Sequence, residues 1–233
     1  MKVNKLDWDS DFFGLRIGKA DIVSDDDGKI LASQADSLRE GYDLVYVFAH
    51  HGLEFAAPNA KLVDIKTVYS LRDFTDCEKN SKVMVWDGKS GVTDELFHLA
   101  LVSGEFSRFK IDGHFPTGSF ERLYSRWIEQ SVNQTMASEV FCYMVEDLPR
   151  GLITLNRKGN EGTIGLVAIH ESFQHRGIGS AMMRHVIWYA REHHCDRLSV
   201  ATQRENVSAC KFYEKAGFLV ESETDVWHWW MGK

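Results

Sequence analysis

The segment 166–182 of this 233-residue chain carries the residue types best suited to bind an anion. The apolar run 167–169 predicts a buried strand, and Gly177 and Gly179 then open a long helical pattern. Unpaired backbone N–H groups at a helix start favour anions, and glycine lets a phosphate approach the backbone closely. Arg176 adds a positive charge and Ser180 a hydroxyl. The spacing predicts a pyrophosphate site, although glycines that only let a turn pack tightly are an alternative.

A second informative segment, 206–218, lies about thirty residues further along the chain. Asn206 is typical of a helix N-cap, and Gly217 of the residue that ends a helix. Seven residues separate Asn206 from Tyr213, so both side chains can project from the same side of that helix. Taken alone, Tyr213 is typical of a packing aromatic residue with its hydroxyl at the surface.

Together the two segments resemble the GNAT acetyltransferase superfamily. Gln174, Gly177 and Gly179 match its acetyl-CoA signature, Gln/Arg-x-x-Gly-x-Gly/Ala, and 206–218 matches the Asn-x-x-Ala-x-x-Phe-Tyr-Glu-Lys-x-Gly-Phe segment of many members. This resemblance covers about residues 137–233. Shorter segments, 6–15 and 107–110, resemble TDP-fucosamine acetyltransferases and related sugar-nucleotide N-acetyltransferases, which carry a smaller α/β domain before the GNAT domain.

The resemblance implies a site for acetyl-CoA as a co-substrate, with no metal. The strand residues would follow the pantetheine arm, the turn would hold the pyrophosphate, and Tyr213 would protonate the departing thiolate as general acid. A backbone N–H near Ala168 or Ile169 would stabilise the oxyanion. The implied cofactor contacts are Val167, Ala168, Ile169, Gln174, His175, Arg176, Gly177, Ile178, Gly179, Ser180 and Asn206.

Arg108 and Lys110 are candidate contacts to a nucleotide diphosphate, because a guanidinium pairs well with phosphate oxygens. A solvated pair of cations on a loop is the alternative reading. The resemblance implies direct transfer of acetyl from acetyl-CoA to the amine of a sugar nucleotide such as a dTDP-4-amino-4,6-dideoxyhexose. Two alternatives stay open: another acceptor (a protein N-terminus, lysine, polyamine or amino acid), and a non-catalytic acyl-CoA-binding sensory module.

The sequence does not single out a general base. His170, Glu171 and His175 lie near the predicted site, but a water chain could equally remove the proton from the amine. Cys210 lies three residues before Tyr213 with no evident activating histidine. Because a nucleophilic cysteine needs an activating base, we expect Cys210 to be inert.

The predicted helices and strands that must position these residues alternate along the whole chain, which indicates an α/β fold. The first hundred residues predict strands at 15–22, 42–49, 61–71 and 82–86, with a turn at 25–28 and a helix over 29–40. Helices follow at 92–102 and 120–132, then strands at 140–145, 151–155 and 163–169 joined by turns at 149–151 and 156–160. The remainder predicts helices at 177–193 and 206–216 and strands at 197–202, 217–220 and 226–230.

These elements predict a mixed sheet flanked by helices, an α/β (α+β) fold. The expected division is a small α/β domain over 1–100 and a GNAT domain over 101–233. Trp227, Trp229 and Trp230 close the chain as core or interface residues, and a homodimer seam along that last strand is one interpretation.

Composition limits the partners. With 27 Lys and Arg against 34 Asp and Glu, the net charge is −7, so neither nucleic acid nor an anionic membrane is an expected partner. The scattered cysteines, including the His193-His194-Cys195 triplet, predict neither a zinc site nor a disulfide scaffold. The polar N-terminus and the lack of an apolar run of roughly 18 residues predict a cytoplasmic protein.

Overall fold

A ten-stranded mixed sheet runs through residues 1–232, the part of the chain that this computed structural model describes. The strands are β1 (Asn4–Lys5), β2 (Ile17–Ile22), β3 (Leu44–His50), β4 (Ala60–Leu71), β5 (Val83–Val85), β6 (Glu139–Val145), β7 (Leu148–Lys158), β8 (Glu161–Ile169), β9 (Arg197–Gln203) and β10 (Leu219–Trp230). The helices are α1 (Asp7–Phe13), α2 (Asp25–Ser33), α3 (Ala35–Gly41), α4 (Asp94–Ser103), α5 (Arg108–Ile111), α6 (Ser119–Val132), α7 (Ile178–Glu192) and α8 (Val207–Lys215). The predicted α/β class with a mixed sheet is confirmed.

The strand order is β1-β2-β3-β10-β4-β9-β8-β7-β6-β5. The pairs β2–β3 and β8–β9 are parallel, and the other neighbouring pairs are antiparallel. Because β10 lies between β3 and β4, hydrogen bonds run without a break from the first strands of the chain to the last. The division at residue 100 stays a prediction.

The end of the chain forms one long strand rather than the two that the sequence pattern predicts. β10 pairs with β4 from Leu219 to Trp229 and with β3 from Thr224 to Trp230. This pairing carries the polar stretch 221–224 through as strand, with a register shift between Val220 and Ser222. Both edges of β10 over 224–229 are therefore occupied within the chain, and a homodimer seam along this strand stays a prediction. Trp229, 2% exposed, is a core residue.

The helix predicted over 29–40 is two helices, α2 and α3, and it begins earlier than expected. Ser24 caps α2 by accepting a hydrogen bond from the backbone N–H of Asp27. The acidic run 25–27, which the pattern assigns to a turn, is the first turn of α2, where negative side chains offset the positive end of the helix dipole. Local capping therefore outweighed the turn composition.

The turn predicted at 149–151 lies inside β7. The β6–β7 hairpin turns instead at Glu146 and Asp147, which adopt left-handed φ values of 51° and 60°. Two left-handed residues give the twist that a tight hairpin needs. Pro149 pairs with Met144 next to a register shift in the ladder, where its missing N–H is tolerated.

Apolar side chains cover both faces of the sheet. On one face, α4 and α6 bury Leu96, Leu99, Leu123 and Ile128 against β3, β6, β7 and β8. On the other face, α7 packs against β6, β7, β8 and β9, and Tyr213 of α8 joins the same cluster. The two layers fix the positions of β8, α7 and α8, which carry the residues that the sequence analysis singled out.

Candidate active site

The parallel strands β8 and β9 separate at the place where the predicted cofactor strand lies. They pair only from Glu161–Arg197 to Ile164–Val200. Beyond that point, 167–169 of β8 stays paired with β7, whereas 201–203 of β9 stays paired with β4. The edge of β8 that faces β9 is therefore free of a neighbouring strand over 166–169.

A cavity of about 1480 Å³ opens at this separation. Its lining includes both diverging strand ends, the turn before α7 and the start of α8. It continues across the sheet to α1, β4 and α5, where Trp8, Asp9, Asp64, Lys66 and Arg108 line it. One cavity thus joins the segment predicted to bind a cofactor with the segment predicted to bind an acceptor.

The turn before α7 presents a row of free backbone donors. Within the described chain, no backbone N–H from residue 175 to residue 180 donates a hydrogen bond. Gly177, the N-cap of α7, has a φ of 78°, and a Cβ placed there would meet no atom within 4 Å. The space over the turn is therefore open, and consecutive N–H groups at a positive helix end fit a phosphate group.

Some side chains of residues 174–180 hold the turn in place, and others line the cavity. Gln174 donates from Nε2 to the carbonyl oxygen of Ile169 at 3.1 Å, which holds the turn against the end of β8. His175 has a left-handed φ of 59° and lines the cavity. Arg176 instead lies over the ring of Phe173, 5.2 Å from its centroid, and is outside the cavity lining. Ile178, Gly179 and Ser180 line the cavity.

α8 positions Asn206 and Tyr213 on the same cavity. The Oδ1 of Asn206 accepts a hydrogen bond from the backbone N–H of Ala209 at 3.1 Å, so Asn206 is the N-cap that the sequence predicts. Tyr213 lies nearly two turns later and is 4% exposed. Burial raises the pKa of the Tyr213 hydroxyl, with a smaller contribution from Cys210, so the phenol stays protonated through neutral pH.

The residues first considered as nucleophile or base have other partners. The thiol of Cys210 points to the carbonyl oxygen of Gln203 at 3.7 Å. The carboxylate of Glu171 lies 2.9 Å from Nε2 of His98, and this hydrogen bond lowers the pKa of Glu171, which makes it a weaker base. The Nδ1 of His170 accepts a hydrogen bond from the backbone N–H of Ser172.

Arg108 is the charged centre of the far end of the cavity. Ser107 caps the short helix α5 and brings the guanidinium to 4.3 Å from the ring centroid of Tyr46 and 4.6 Å from that of Phe109. Its Nη1 is buried and has no hydrogen-bond partner among residues 1–232. Burial lowers the pKa of Arg108, and no carboxylate of the described chain lies within 4.0 Å of it. The guanidinium therefore has donors free for an anionic or carbonyl group.

Lys110 is not brought to this cavity. Its Nζ lies 2.6 Å from Oε2 of Glu105 and over the ring of Phe120. Arg108 and Lys110 are two residues apart on one turn of helix, so their side chains leave it in different directions.

Two carboxylates that the sequence analysis missed line the acceptor end. Asp64 lies on β4, and its Oδ1 is buried without a hydrogen-bond partner in the described chain. Burial raises the pKa of Asp64 to about 6, although Arg108 and Lys66 oppose the change. Burial also raises the pKa of Asp9 on α1, again against the field of Arg108. No local motif marks either residue, because each reaches the cavity only through the tertiary fold.

Behind Arg108 lies a buried polar network centred on Asp112. Its carboxylate accepts hydrogen bonds from Nδ1 of His228 at 2.5 Å, Nε1 of Trp230 at 2.9 Å and His114 at 2.8 Å. Burial would raise the pKa of Asp112, but these hydrogen bonds outweigh it and hold that pKa below its ordinary value. The ring of His228 lies 5.0 Å from that of Tyr46, so the network supports the aromatic face on which Arg108 rests.

One group of histidine and acidic side chains in residues 1–232 has metal-ligand spacing. Ligand atoms of His98, His170 and Glu171 lie within 4.8 Å of one another at the cavity rim, and two of the three residues are exposed. The His193-His194-Cys195 triplet does not form such a group: Nδ1 of His193 is 2.7 Å from the carbonyl oxygen of Tyr189, and Cys195 is buried. The expectation of no metal stays a prediction.

None of the helices in residues 1–232 combines the length and apolar character needed to cross a lipid bilayer.

Comparison with known proteins places the same region in context. Residues 107–218 match the acetyltransferase (GNAT) family. The chain is 32% identical to a dTDP-fucosamine acetyltransferase of Escherichia coli over 131 aligned residues. The alignment covers 54% of this chain and 54% of that protein. Over 143 residues the chain is 24% identical to the spore coat polysaccharide biosynthesis protein SpsD of Bacillus subtilis, 61% of this chain and 49% of that protein.

Among solved structures, a GCN5-related N-acetyltransferase from Sphaerobacter thermophilus superposes with a TM-score of 0.54 at 16% identity, over 82% of this chain and 60% of that chain. This likeness shows a shared fold. The chain spans about half the length of the curated relatives it matches.

Proposed function

We propose that this chain, whose residues 107–218 match the acetyltransferase (GNAT) family, transfers the acetyl group of acetyl-CoA to a primary amine. The observation that carries the proposal is the row of free N–H groups at 175–180, which opens onto the same cavity as the free edge of β8 and Tyr213. The family match and the similarity to a dTDP-fucosamine acetyltransferase support the same chemistry.

The cofactor would bind through backbone groups. The N–H groups of 175–180 and the positive end of α7 would hold the pyrophosphate, and the open space over Gly177 gives it room. The free edge of β8 at Val167, Ala168 and Ile169 would pair with the amide groups of the pantetheine arm, with one N–H directed at the acetyl oxygen. Asn206 lines the cavity beside this path.

Tyr213 would act as the general acid. Its raised pKa keeps the hydroxyl protonated at neutral pH, so a proton is in place when the thiolate leaves. The thiol has a pKa of about 8.5, so the departing thiolate takes up a proton at neutral pH, and Tyr213 would donate it.

The acceptor we propose is a nucleotide-linked amino sugar, such as a dTDP-4-amino-4,6-dideoxyhexose. Arg108 has a free, buried donor at the far end of the cavity, which suits a diphosphate oxygen. Trp8, Phe106 and Trp127 line the same end and offer flat apolar surfaces for a sugar or a base. A dTDP-fucosamine acetyltransferase is among the relatives.

Two measurements test the proposal. Thermal unfolding with acetyl-CoA at a hundred times its dissociation constant should show a stabilisation of about 2.7 kcal/mol. Release of thiol should then be followed with a panel of acceptors: the dTDP-amino sugar, a polyamine, a lysine peptide, a free amino acid and streptothricin. Streptothricin is included because a streptothricin acetyltransferase of Bacillus subtilis is 32% identical over 81 residues, 34% of this chain and 47% of that protein. Turnover restricted to a non-sugar amine would refute the proposed acceptor, and no binding of acetyl-CoA would refute the transferase function.

A further inference from the structure

We propose that Asp64 receives the proton of the acceptor's ammonium group, so that the amine enters the reaction neutral. This inference rests on the proposed acetyltransferase function and adds the general base that neither the sequence nor the comparisons supply. It also narrows the acceptor to an amine that arrives charged and carries an anionic group elsewhere, because a carboxylate and a guanidinium line the same end of the cavity.

The geometry places Asp64 beside the separation of β8 and β9. β4 is the neighbour of β9, and Lys66 pairs with Gln203 and Thr67 with Thr202 at the end of β9 that lines the cavity. Asp64 precedes Lys66 by two residues, so the two side chains leave the same face of the strand, and both line the cavity. On the opposite edge of β4, Asp64 pairs with Val226 of β10, another lining residue.

Asp64 also has an oxygen free to accept a proton. Its Oδ1 is buried and unpartnered, although a buried carboxylate oxygen is costly to leave without a hydrogen bond. Two cations act on it, Arg108 from α5 and Lys66 from its own strand, and the charge of Asp64 in turn raises the pKa of the Tyr124 hydroxyl on α6. Asp9 of α1 and Tyr46 of β3 face Arg108 from the remaining sides.

The pKa of Asp64, which burial raises and the nearby cations lower, suits a base that works near neutral pH. Burial raises the pKa of Asp64 to about 6 and outweighs the two cations. A carboxylate with this pKa is ionised at pH 7 yet basic enough to take a proton, which is the compromise that general bases require. The other candidates are less suitable, because the hydrogen bond from His98 lowers the pKa of Glu171 and His175 lies in the exposed turn.

In the proposed transfer, Asp64 accepts one proton and Tyr213 relays another. The ammonium transfers one proton to Asp64, and the nitrogen lone pair then forms a bond to the carbonyl carbon of the thioester. The C–S bond breaks, the thiolate takes the hydroxyl proton of Tyr213, and the resulting phenolate takes the remaining excess proton from the nitrogen. The amide and the free thiol leave, and Asp64 releases its proton to solvent through the open cavity.

The test compares Asp64→Asn and Asp64→Glu with the wild-type protein, using acetyl-CoA and a dTDP-4-amino-4,6-dideoxyhexose between pH 5 and pH 9. With the base present, kcat/KM should level off above about pH 6. Asp64→Asn should lose about 10²- to 10⁴-fold at pH 7 and keep rising towards the pKa of the free amine, where the amine needs no base. Asp64→Glu should keep the wild-type shape of the profile, and the acetyl-CoA dissociation constant measured by calorimetry should not change.

Asp36→Asn is the matched control, because the Asp36 side chain is fully exposed. The proposal is overturned if Asp64→Asn keeps the turnover and pH profile of the wild type, or if Asp9→Asn rather than Asp64→Asn changes the profile. In both cases the wild-type protein would still acetylate the amine, so the proposed function would not be refuted. A wild-type protein that binds acetyl-CoA but acetylates no amine in the panel would overturn both the function and the role of Asp64.

Discussion

Replacing Asp64 by asparagine should make the ligand-free protein more stable at neutral pH. Asp64 is a buried carboxylate without a hydrogen bond to Oδ1, and its pKa rises from 3.8 to about 6 on folding. The unfolded chain therefore releases this proton more readily than the folded protein does. The contribution of the Asp64 carboxyl to stability is fully present below pH 3.8 and is lost as the pH rises towards about 6, so at pH 7.5 the charged carboxylate destabilises the fold.

The size of this change in the free energy of unfolding follows from the pKa shift of Asp64. A difference of this size corresponds to about 3 kcal/mol, since each pKa unit is about 1.4 kcal/mol. Asp64 is partly exposed, and solvent screening reduces the figure to about 1–2 kcal/mol. For a chain of this length, that stabilisation corresponds to a rise in Tm of about 2–8 °C.

The assay is thermal unfolding of wild type and Asp64→Asn at pH 7.5, 6 and 4 without ligand. We expect the gain in Tm to be close to its maximum at both pH 7.5 and pH 6 and small at pH 4, because the change develops between the unfolded pKa of 3.8 and the folded pKa of about 6. Asp36→Asn, whose side chain is fully exposed, should show no such trend. A Tm that is unchanged or lower in Asp64→Asn at pH 7.5 would show that Asp64 is already satisfied in the folded protein.

Three further changes test other parts of the site. Tyr213→Phe removes the hydroxyl but keeps the ring, so turnover should fall about 10²- to 10⁴-fold while calorimetry gives an unchanged affinity for acetyl-CoA; undiminished turnover would refute its role. Arg108→Ala should raise the apparent KM for the sugar nucleotide and leave that for acetyl-CoA unchanged, and equal effects on both would argue against its placement. Gly177→Ala puts a side chain at a φ of 78°, so it should cost about 1–2 kcal/mol of stability and weaken acetyl-CoA binding, both measurable by thermal shift; an unchanged Tm would mean that the turn relaxes freely.

The cofactor half of the site could be predicted from the sequence because its determinants are local. Gly177 and Asn206 each act within one turn of the helix that they begin, and both are N-caps in the structure. The acceptor half could not be predicted in the same way. Asp9 and Asp64 lie 55 residues apart and reach one cavity only through the order of the strands.

The fold shows the same contrast. Individual strands such as β3 and β9 follow from their apolar runs, but no periodicity states which strand lies beside which. β10 lies between β3 and β4, which are distant from it in sequence, so local patterns cannot predict this pairing. The pairing with β4 makes the polar stretch 221–224 part of the strand. The run 25–28 is predicted as a turn but begins a helix. Acidic residues are typical both of turns and of the first turn of a helix, and here the Ser24 cap and the helix dipole favour the helix.

The central position of β10 also has a kinetic consequence. Its residues pair with 44–50 and with 60–70, so between 149 and 186 residues separate the partners along the chain. During synthesis, β3 and β4 must therefore wait with long unpaired edges until residues 219–230 have emerged. Contacts between such distant segments slow folding and leave the waiting edges prone to pair with other chains. A nascent or truncated chain that ends before Leu219 therefore leaves one edge of β3 and one edge of β4 open to pairing with other chains.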